Sequence, residues 1–216
     1  MKALLDGIFE FHEKVRPHVR ERFAQLALGQ SPDCLFVACS DSRVVPNLFA
    51  STNPGDLFVV RNVGNLIPPC GAHGHSTSDR SEAAAIEFAV LNLGVRDVIV
   101  CGHSECGAMH ALLAPEPPAG AVNLSAWLDC GRASLVRLAA EPALAAGLAP
   151  HNRLSQANVL QQLAHIQTYP AVAERVADGR LGLHGWWFDI AAAEVLAWHA
   201  ASRQFVPIAE SDERAR

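Results

Sequence analysis

The sequence predicts an α/β fold: a central, mostly parallel β-sheet of four parallel strands plus an edge strand, flanked by helices and preceded by an N-terminal helical arm. Three observations carry that expectation. A short unbroken apolar run stands at 34–39, as in a strand buried on both faces, and a further strand-like segment at 95–101. Segments with helical periodicity separate the strand-like runs, the arrangement that lets consecutive strands lie parallel with helices on the sheet faces. Ahead of the first run, residues 1–29 carry their apolar side chains at helical steps.

The elements follow in order. Leu4, Ile8, Phe11, Val15, Val19, Phe23 and Leu26 recur at three- and four-residue steps, and Pro17 is expected to divide the arm into two helices. The arm's apolar face has two candidate partners, its own core or another subunit. Cys34-Leu35-Phe36-Val37-Ala38-Cys39 reads as the first strand, and 56–60 as a second after Pro54-Gly55. Ser81 suits the N-cap of an alanine-rich helix over 83–93, which Gly94 ends. A third strand covers 95–101, and the chain turns at Gly102. Pro115 to Gly120 is a loop, while 123–138, 154–167 and the stretch between Pro170 and Gly179 are helical in pattern. Residues 181–190, with Trp186-Trp187-Phe188, read as a strand, and 195–199 as the edge strand. No internal repeat interrupts this, so residues 1–216 are expected to form a single domain, with 1–29 as its arm.

Composition limits the function classes. Half of the 216 residues are apolar and 18% are charged, which excludes intrinsic disorder. With 17 Lys+Arg against 22 Asp+Glu the net charge is −5, so no nucleic-acid partner held by general basicity is expected. No apolar run reaches the ~18 residues of a membrane span. Met1-Lys2-Ala3-Leu4-Leu5-Asp6 lacks the apolar stretch of a secretory signal, so a cytoplasmic protein with reduced thiols is expected.

The six cysteines and ten histidines then need an explanation. Cys39-Ser40-Asp41-Ser42-Arg43 and Gly102-His103-Ser104-Glu105-Cys106-Gly107 each follow a buried strand directly. Ligands of open α/β sheets bind beyond the carboxyl ends of strands, where both segments lie. His103 and Cys106, three apart, would face the same way on a first helical turn, and Cys39 can close the set. Two cysteines and a histidine leave one position open on zinc, as catalytic rather than structural sites do. Asp41 and Arg43, two apart, point the same way in extended backbone and can form a charge-assisted pair that keeps the carboxylate ionised. Cys34, Cys101 and Cys130 read as small buried hydrophobes.

These segments resemble the two signatures of the β-class carbonic anhydrases. Further matches are Pro54-Gly55-Asp56-Leu57-Phe58, Arg61-Asn62-Val63-Gly64-Asn65, Ala85-Ile86-Glu87-Phe88-Ala89 and Leu183-His184-Gly185-Trp186, so the similarity covers nearly the whole chain. The resemblance implies one Zn2+ per subunit on Cys39, His103 and Cys106, with Asp41 and Arg43 as catalytic dyad. It implies reversible hydration of carbon dioxide to bicarbonate and a proton by attack of zinc-bound hydroxide. It also implies a carbon dioxide pocket lined by Gln30, Phe58 and Phe88, with the Gly107 N–H nearby, assembled from two subunits of a homodimer or homotetramer. Phe88 stands where plant members have Tyr, so one hydroxyl contact is missing.

One departure bears on regulation. Members with a non-catalytic bicarbonate site carry Trp three positions before the first cysteine and Tyr after His-Gly-Trp. Those positions here are Phe36 and Phe188, although Arg61 is retained, so bicarbonate inhibition is expected to be weak or absent. His73, His75, His110 and His184 are proton carriers by residue type alone, and His184 reads as structural. Two other readings stand beside hydration: hydrolysis of carbonyl sulfide or carbon disulfide by the same ligands, and a non-catalytic zinc-bound homologue. Intact Asp41 and Arg43 speak against the latter.

Overall fold

The computed structural model describes residues 1–116 and 119–208. Its frame is one six-stranded sheet in the order β2-β1-β3-β4-β5-β6. Strands β1 (Cys34–Cys39), β2 (Leu57–Asn62), β3 (Asp97–His103) and β4 (Gly182–Asp189) run parallel, as expected. Strand β5 (Glu194–His199) returns antiparallel on β4, and β6 (Gln204–Pro207) pairs antiparallel with β5. The segment expected at the edge is therefore one strand in. The edge itself is a four-residue strand ending in proline, which an edge tolerates because one flank needs no ladder.

Period-two alternation sorts the first strand between two cores. Leu35 and Val37 join Val98 and Val100 in a cluster with Ile86, Val90, Val159 and Val172. These come from α4 (Ser81–Glu87) and its π-helical continuation Phe88–Leu93, from α8 (Pro150–Ile166) and from α9 (Pro170–Ala177). On the other face Phe36, Ala38 and Cys101 pack with Phe188 and with Phe49 of the short helix α3 (Pro46–Phe49). Phe49 stacks on Phe188 at 4.8 Å, and Phe36 meets Trp186 edge-on at 5.9 Å. Cys34 and Cys101 are buried with thiols pushed up by desolvation, Cys34 to about 12, so they behave as small hydrophobes. Cys130 is half-buried against a third cluster around Leu66 and Met109.

The arm consists of α1 (Lys2–Glu10), a π-helical turn over Phe11–Val15, and α2 (Arg16–Leu26). Pro17 sits in the first turn of α2, where its missing N–H costs nothing, and the turn before it is widened rather than broken. Neither α1 nor α2 contains a buried residue. Among the described residues the arm does not lie on the core of its own chain, and it is its end that docks there. Arg22 donates from Nε to Pro54 O at 2.9 Å and pairs with Asp56 at 2.6 Å, and Leu26 packs where Gly55 has no Cβ. No helix among the described residues is long and apolar enough to cross a membrane.

The segment between β2 and α4 departs most from a surface loop. Gly64 to Pro68 are all buried although they belong to no strand or helix. Buried backbone needs partners, and α8 supplies them. Asn158 Nδ2 donates to Gly64 O at 3.0 Å, the Ile67 N–H donates to Gln162 Oε1 at 2.8 Å, and His165 Nδ1 meets Ile67 O at 2.8 Å. Ser134 of α7 (Arg132–Ala140) donates to Asn158 Oδ1 at 2.9 Å. From β2, Asn62 brackets Leu66, accepting its N–H and donating to its carbonyl, both at 2.8 Å.

Candidate metal centre

Cys39 ends β1, His103 ends β3, and Cys106 caps α5 (Gly107–Leu113). The carboxyl ends of two adjacent parallel strands thus deliver two of the groups. The third arrives by a tight turn in which Glu105 takes the left-handed conformation at φ 56°. His103 and Cys106 consequently converge across a strand-to-helix turn, not on one helical turn as their spacing suggested. The reason is that β3 runs two residues further than its apolar pattern shows.

All three side chains are buried. One donor atom from each lies within 4.8 Å of the others. Tetrahedral zinc with two sulfurs and a nitrogen would set these separations at roughly 3.6–3.8 Å, inside that bound. His103 Nδ1 lies 2.8 Å from Ser104 O, and because a carbonyl can only accept, Nδ1 carries the ring proton. Nε2 is then the lone-pair nitrogen, and it is buried with no hydrogen-bond partner. An orphaned acceptor beside two thiols is costly unless a cation takes its lone pair, so the donor set fits a metal ion.

The sulfurs are also prepared. The Cys106 thiol beside it, with help from the Gly64 N–H and against the effect of burial, pushes Cys39 down to about 4. The same contact, together with burial, pushes Cys106 up. The Gly64 N–H reaches Cys39 Sγ at 3.3 Å. Gly64 has φ 82°, and a Cβ there would stand 2.8 Å from that of Ala108. At Gly102 a Cβ would fall 2.7 Å from Val159 of α8. That close approach lets Ser155 donate to His103 O at 2.8 Å while accepting Trp187 Nε1 at 3.0 Å.

Asp41 and Arg43 meet through a turn rather than extended backbone. The Val44 N–H closes onto Asp41 O at 3.0 Å, and the Arg43 N–H onto Asp41 Oδ1 at 3.0 Å. Arg43 Nε donates to Oδ1 at 2.9 Å and Nη2 to Oδ2 at 2.7 Å. The guanidinium holds the carboxyl well below the usual carboxylate range. Nη2 also reaches Glu105 O at 3.0 Å, tying the pair to the turn between His103 and Cys106. Arg61 donates to Cys39 O at 3.0 Å and Asp41 O at 2.7 Å.

The expected pocket residues are not gathered here. Phe58 pairs with Leu35, whereas Cys39 pairs with Asn62. Four residues of strand, about 13 Å, separate Phe58 from the level of the centre. Phe58 and Phe88 do adjoin one another, with ring centroids 5.8 Å apart, and Gln30 is exposed at the end of the arm. Gly107 opens α5 directly after Cys106. His184 pairs with Asp97 at 2.7 Å toward the opposite end of β3, while His73 and His75 are exposed on a loop closed by a bridge between Cys70 and Ser76. Sequence reasoning missed Gly64, Ser155 and Trp187. No spacing rule marks them: Gly64 reaches Cys39 Sγ through its backbone N–H, Ser155 reaches the His103 carbonyl, and Trp187 acts through Ser155.

Comparison with known proteins agrees with this geometry. The family described as Carbonic anhydrase matches residues 34–195. A carbonic anhydrase of Pseudomonas aeruginosa is 40% identical over 213 residues, covering 99% of this chain and 94% of the relative. Carbonic anhydrase 1 of Escherichia coli O157:H7 is 39% identical, covering 97% and 93%. The solved structure of the β-carbonic anhydrase CcaA superposes with a TM-score of 0.87 at 40% identity, over 96% of this chain and 98% of that one. A tetrameric β-carbonic anhydrase of Sordaria macrospora gives 0.72 at 30% identity, over 91% and 92%. By family match, by full-length relatives and by fold, the chain belongs to the β class of the carbonic anhydrases, whose general reaction is the hydration of carbon dioxide.

Proposed function

We propose that this chain catalyses the reversible hydration of carbon dioxide to bicarbonate and a proton, with zinc held by Cys39, His103 and Cys106 and with Asp41 and Arg43 as the working pair. The observation that carries the reading is the unpartnered, buried Nε2 of His103 beside two thiols, next to an ionised carboxylate. Zinc would supply a Lewis acid at which water ionises near neutral pH, tempered by the two thiolates.

The chain's own groups do the rest. A carboxylate oxygen has about two lone-pair sites. Asp41 Oδ1 fills both with the Arg43 N–H and Nε, whereas Oδ2 takes only Nη2 and keeps one free. Oδ2 can therefore accept one further hydrogen bond and fix the orientation of the oxygen that donates it. Held down by Arg43, the carboxyl stays an acceptor throughout the neutral range and does not itself carry the proton away. Ser155 and the Gly64 N–H keep His103 and Cys39 in register with that acceptor.

The reading extends to assembly and compartment. The whole chain is read as one domain that acts as a homodimer or homotetramer. Gln30, Phe58 and Phe88 of one copy, with the Gly107 N–H of the next, would line the carbon dioxide pocket. The arm without buried residues and the distance of Phe58 from its own Cys39 support this. The cysteines, all free, suit a reducing compartment such as the cytoplasm.

The test is stopped-flow hydration of carbon dioxide on zinc-loaded protein at pH 8 and above. Wild type should turn over; Asp41→Asn should keep zinc and lose about 100-fold or more, the scale of a misplaced reacting atom. Cys106→Ser should lose the metal, read by elemental analysis. Full turnover in the Asn variant removes Asp41 from the mechanism, and hydrolysis of carbonyl sulfide without hydration reassigns the substrate.

Regulation by bicarbonate should be weak. Phe36 and Phe188 offer no hydrogen-bond donor and are packed in the core, while Arg61 commits two donors to backbone carbonyls. Rates measured against increasing bicarbonate should show product inhibition only, and a bicarbonate-soaked crystal with the anion beside Arg61 would overturn this.

A further inference from the structure

Outside the thiolate centre, on the turn that carries Glu105, a second set of donor groups converges. Glu105 Oε1 lies 2.9 Å from His151 Nε2, and Oε2 lies 3.6 Å from His110 Nε2. The two imidazoles stack with centroids 3.9 Å apart and planes 24° from parallel. One donor atom from each of the three side chains lies within 4.8 Å of the others. None of these side chains is needed by the hydration chemistry derived above.

We propose that Glu105, His110 and His151 form a second divalent transition-metal site, thiolate-free and open to solvent. Two neutral imidazoles and one carboxylate are a donor set that suits zinc, cobalt, nickel and copper ions, with water completing the coordination. The backbone under the set is already fixed. His110 rides on α5 and His151 on α8, and these two helices pack together. Glu105 is clamped by Asn152, whose Oδ1 accepts the Glu105 N–H at 2.8 Å and whose Nδ2 donates to Oε1 at 3.1 Å. Asn152 thereby supplies the outer hydrogen bond that orients a ligating carboxylate. Only side-chain rotation is needed to aim both rings at one point. The Glu105 and His110 side chains are each 52% exposed, so an ion can arrive from solvent and keep waters.

With no thiolate and more solvent, this site should fill after the Cys39–His103–Cys106 centre.

The test uses the full-length protein and Co2+ as probe, with bound metal per chain measured at buffered free metal. Cobalt at the thiolate centre gives an intense sulfur-to-metal charge-transfer band; cobalt at the second site gives only weak ligand-field bands. Wild type should bind two equivalents, the first with the charge-transfer band and the second without. Loss of an orienting partner alone costs ~10–100-fold in metal affinity. His110→Ala and His151→Ala should therefore weaken the second equivalent by at least about tenfold and leave the first intact. The retained charge-transfer band shows that each variant is folded. One equivalent in wild type, or a second that survives both substitutions, overturns the proposal. Failure of the thiolate centre would instead appear as loss of the banded first equivalent.

Discussion

Helix α8 buries Ser155, Gln156, Asn158, Gln162 and His165, whereas the N-terminal arm holds Leu4, Ile8, Phe9 and Phe23 in the open. The arm has the amphipathic pattern that ordinarily marks a helix lying on its own core. Helix α8 has little amphipathic pattern, yet it is the more deeply set. The contrast shows that a helix's interior or exterior place follows from what its side chains must satisfy. On α8 Asn158, Gln162 and His165 answer the buried backbone of residues 64–68 and Ser155 answers the His103 carbonyl, so these polar groups are stable inside. On the arm Leu4, Ile8, Phe9 and Phe23 stay exposed among the described residues, and an exposed apolar face of that length marks an interaction surface.

The comparison breaks most severely at the arm. Burying an unpaired carboxylate in an apolar seam costs several kcal/mol. The double variant Ile8→Glu, Phe9→Glu should therefore shift any assembly equilibrium by more than about 100-fold, and hydration turnover should fall with it. Sedimentation velocity and stopped-flow rates on the same samples check this. An unchanged sedimentation coefficient with full turnover would mean that the arm is only ornament on a self-sufficient monomer.

A second, smaller effect is expected inside α8. Asn158→Leu keeps the volume but strands Gly64 O, the Ser134 hydroxyl and the Gln162 amide. Each unsatisfied buried group costs about 1–3 kcal/mol, so a loss of about 3 kcal/mol or more is expected. In a chain of this size that lowers Tm by roughly 6–12 °C. Calorimetry of the metal-loaded protein reads it, and an unchanged Tm would make the buried polar face dispensable.

The smallest effect concerns pH. Burial lowers the proton affinity of His165 below its ordinary 6.5, against the hydrogen bond to Ile67 O and with a contribution from Arg137. The unfolded chain then binds the proton more readily than the folded one, so stability is full above pH 6.5 and declines as the pH falls below it. His165→Gln should flatten this part of the stability curve between pH 7 and 5.5, measured by denaturant titration. An identical slope in both proteins would assign the acid sensitivity to other groups.

These helices also show what one sequence can reveal. Strand β1 was legible because a parallel strand buried on both faces is an unbroken apolar run, and β3 because it holds the shorter run Val98 to Cys101. Cys39, His103, Cys106, Asp41 and Arg43 were legible because chemistry-bearing residues stood directly after those runs. Strand β6 was not, since Gln204-Phe205-Val206-Pro207 is too short for a period to show. The buried role of Asn158 and Gln162 was hidden because a polar residue on a helix looks solvent-facing until its partner, some 95 positions away, is known. His151 is likewise 46 residues from Glu105, so no spacing rule joins them. The arm's exposure was left open by its periodicity, which records that an apolar face exists but not what covers it.

The segment from Gly64 to Pro68 draws its partners from side chains, and that has a consequence for adjustability. Ladder bonds in a sheet share a register, so altering one disturbs its neighbours. The bonds from Asn158, Gln162 and His165 form a network of their own, linked through Gln162 but sharing no ladder bond with the sheet. Through them the Gly64 N–H that rests on Cys39 Sγ can be nudged by a substitution on α8 while β1 and β3 stay as they are. The centre thus has a tuning screw on one helix and a fixed bench in the sheet.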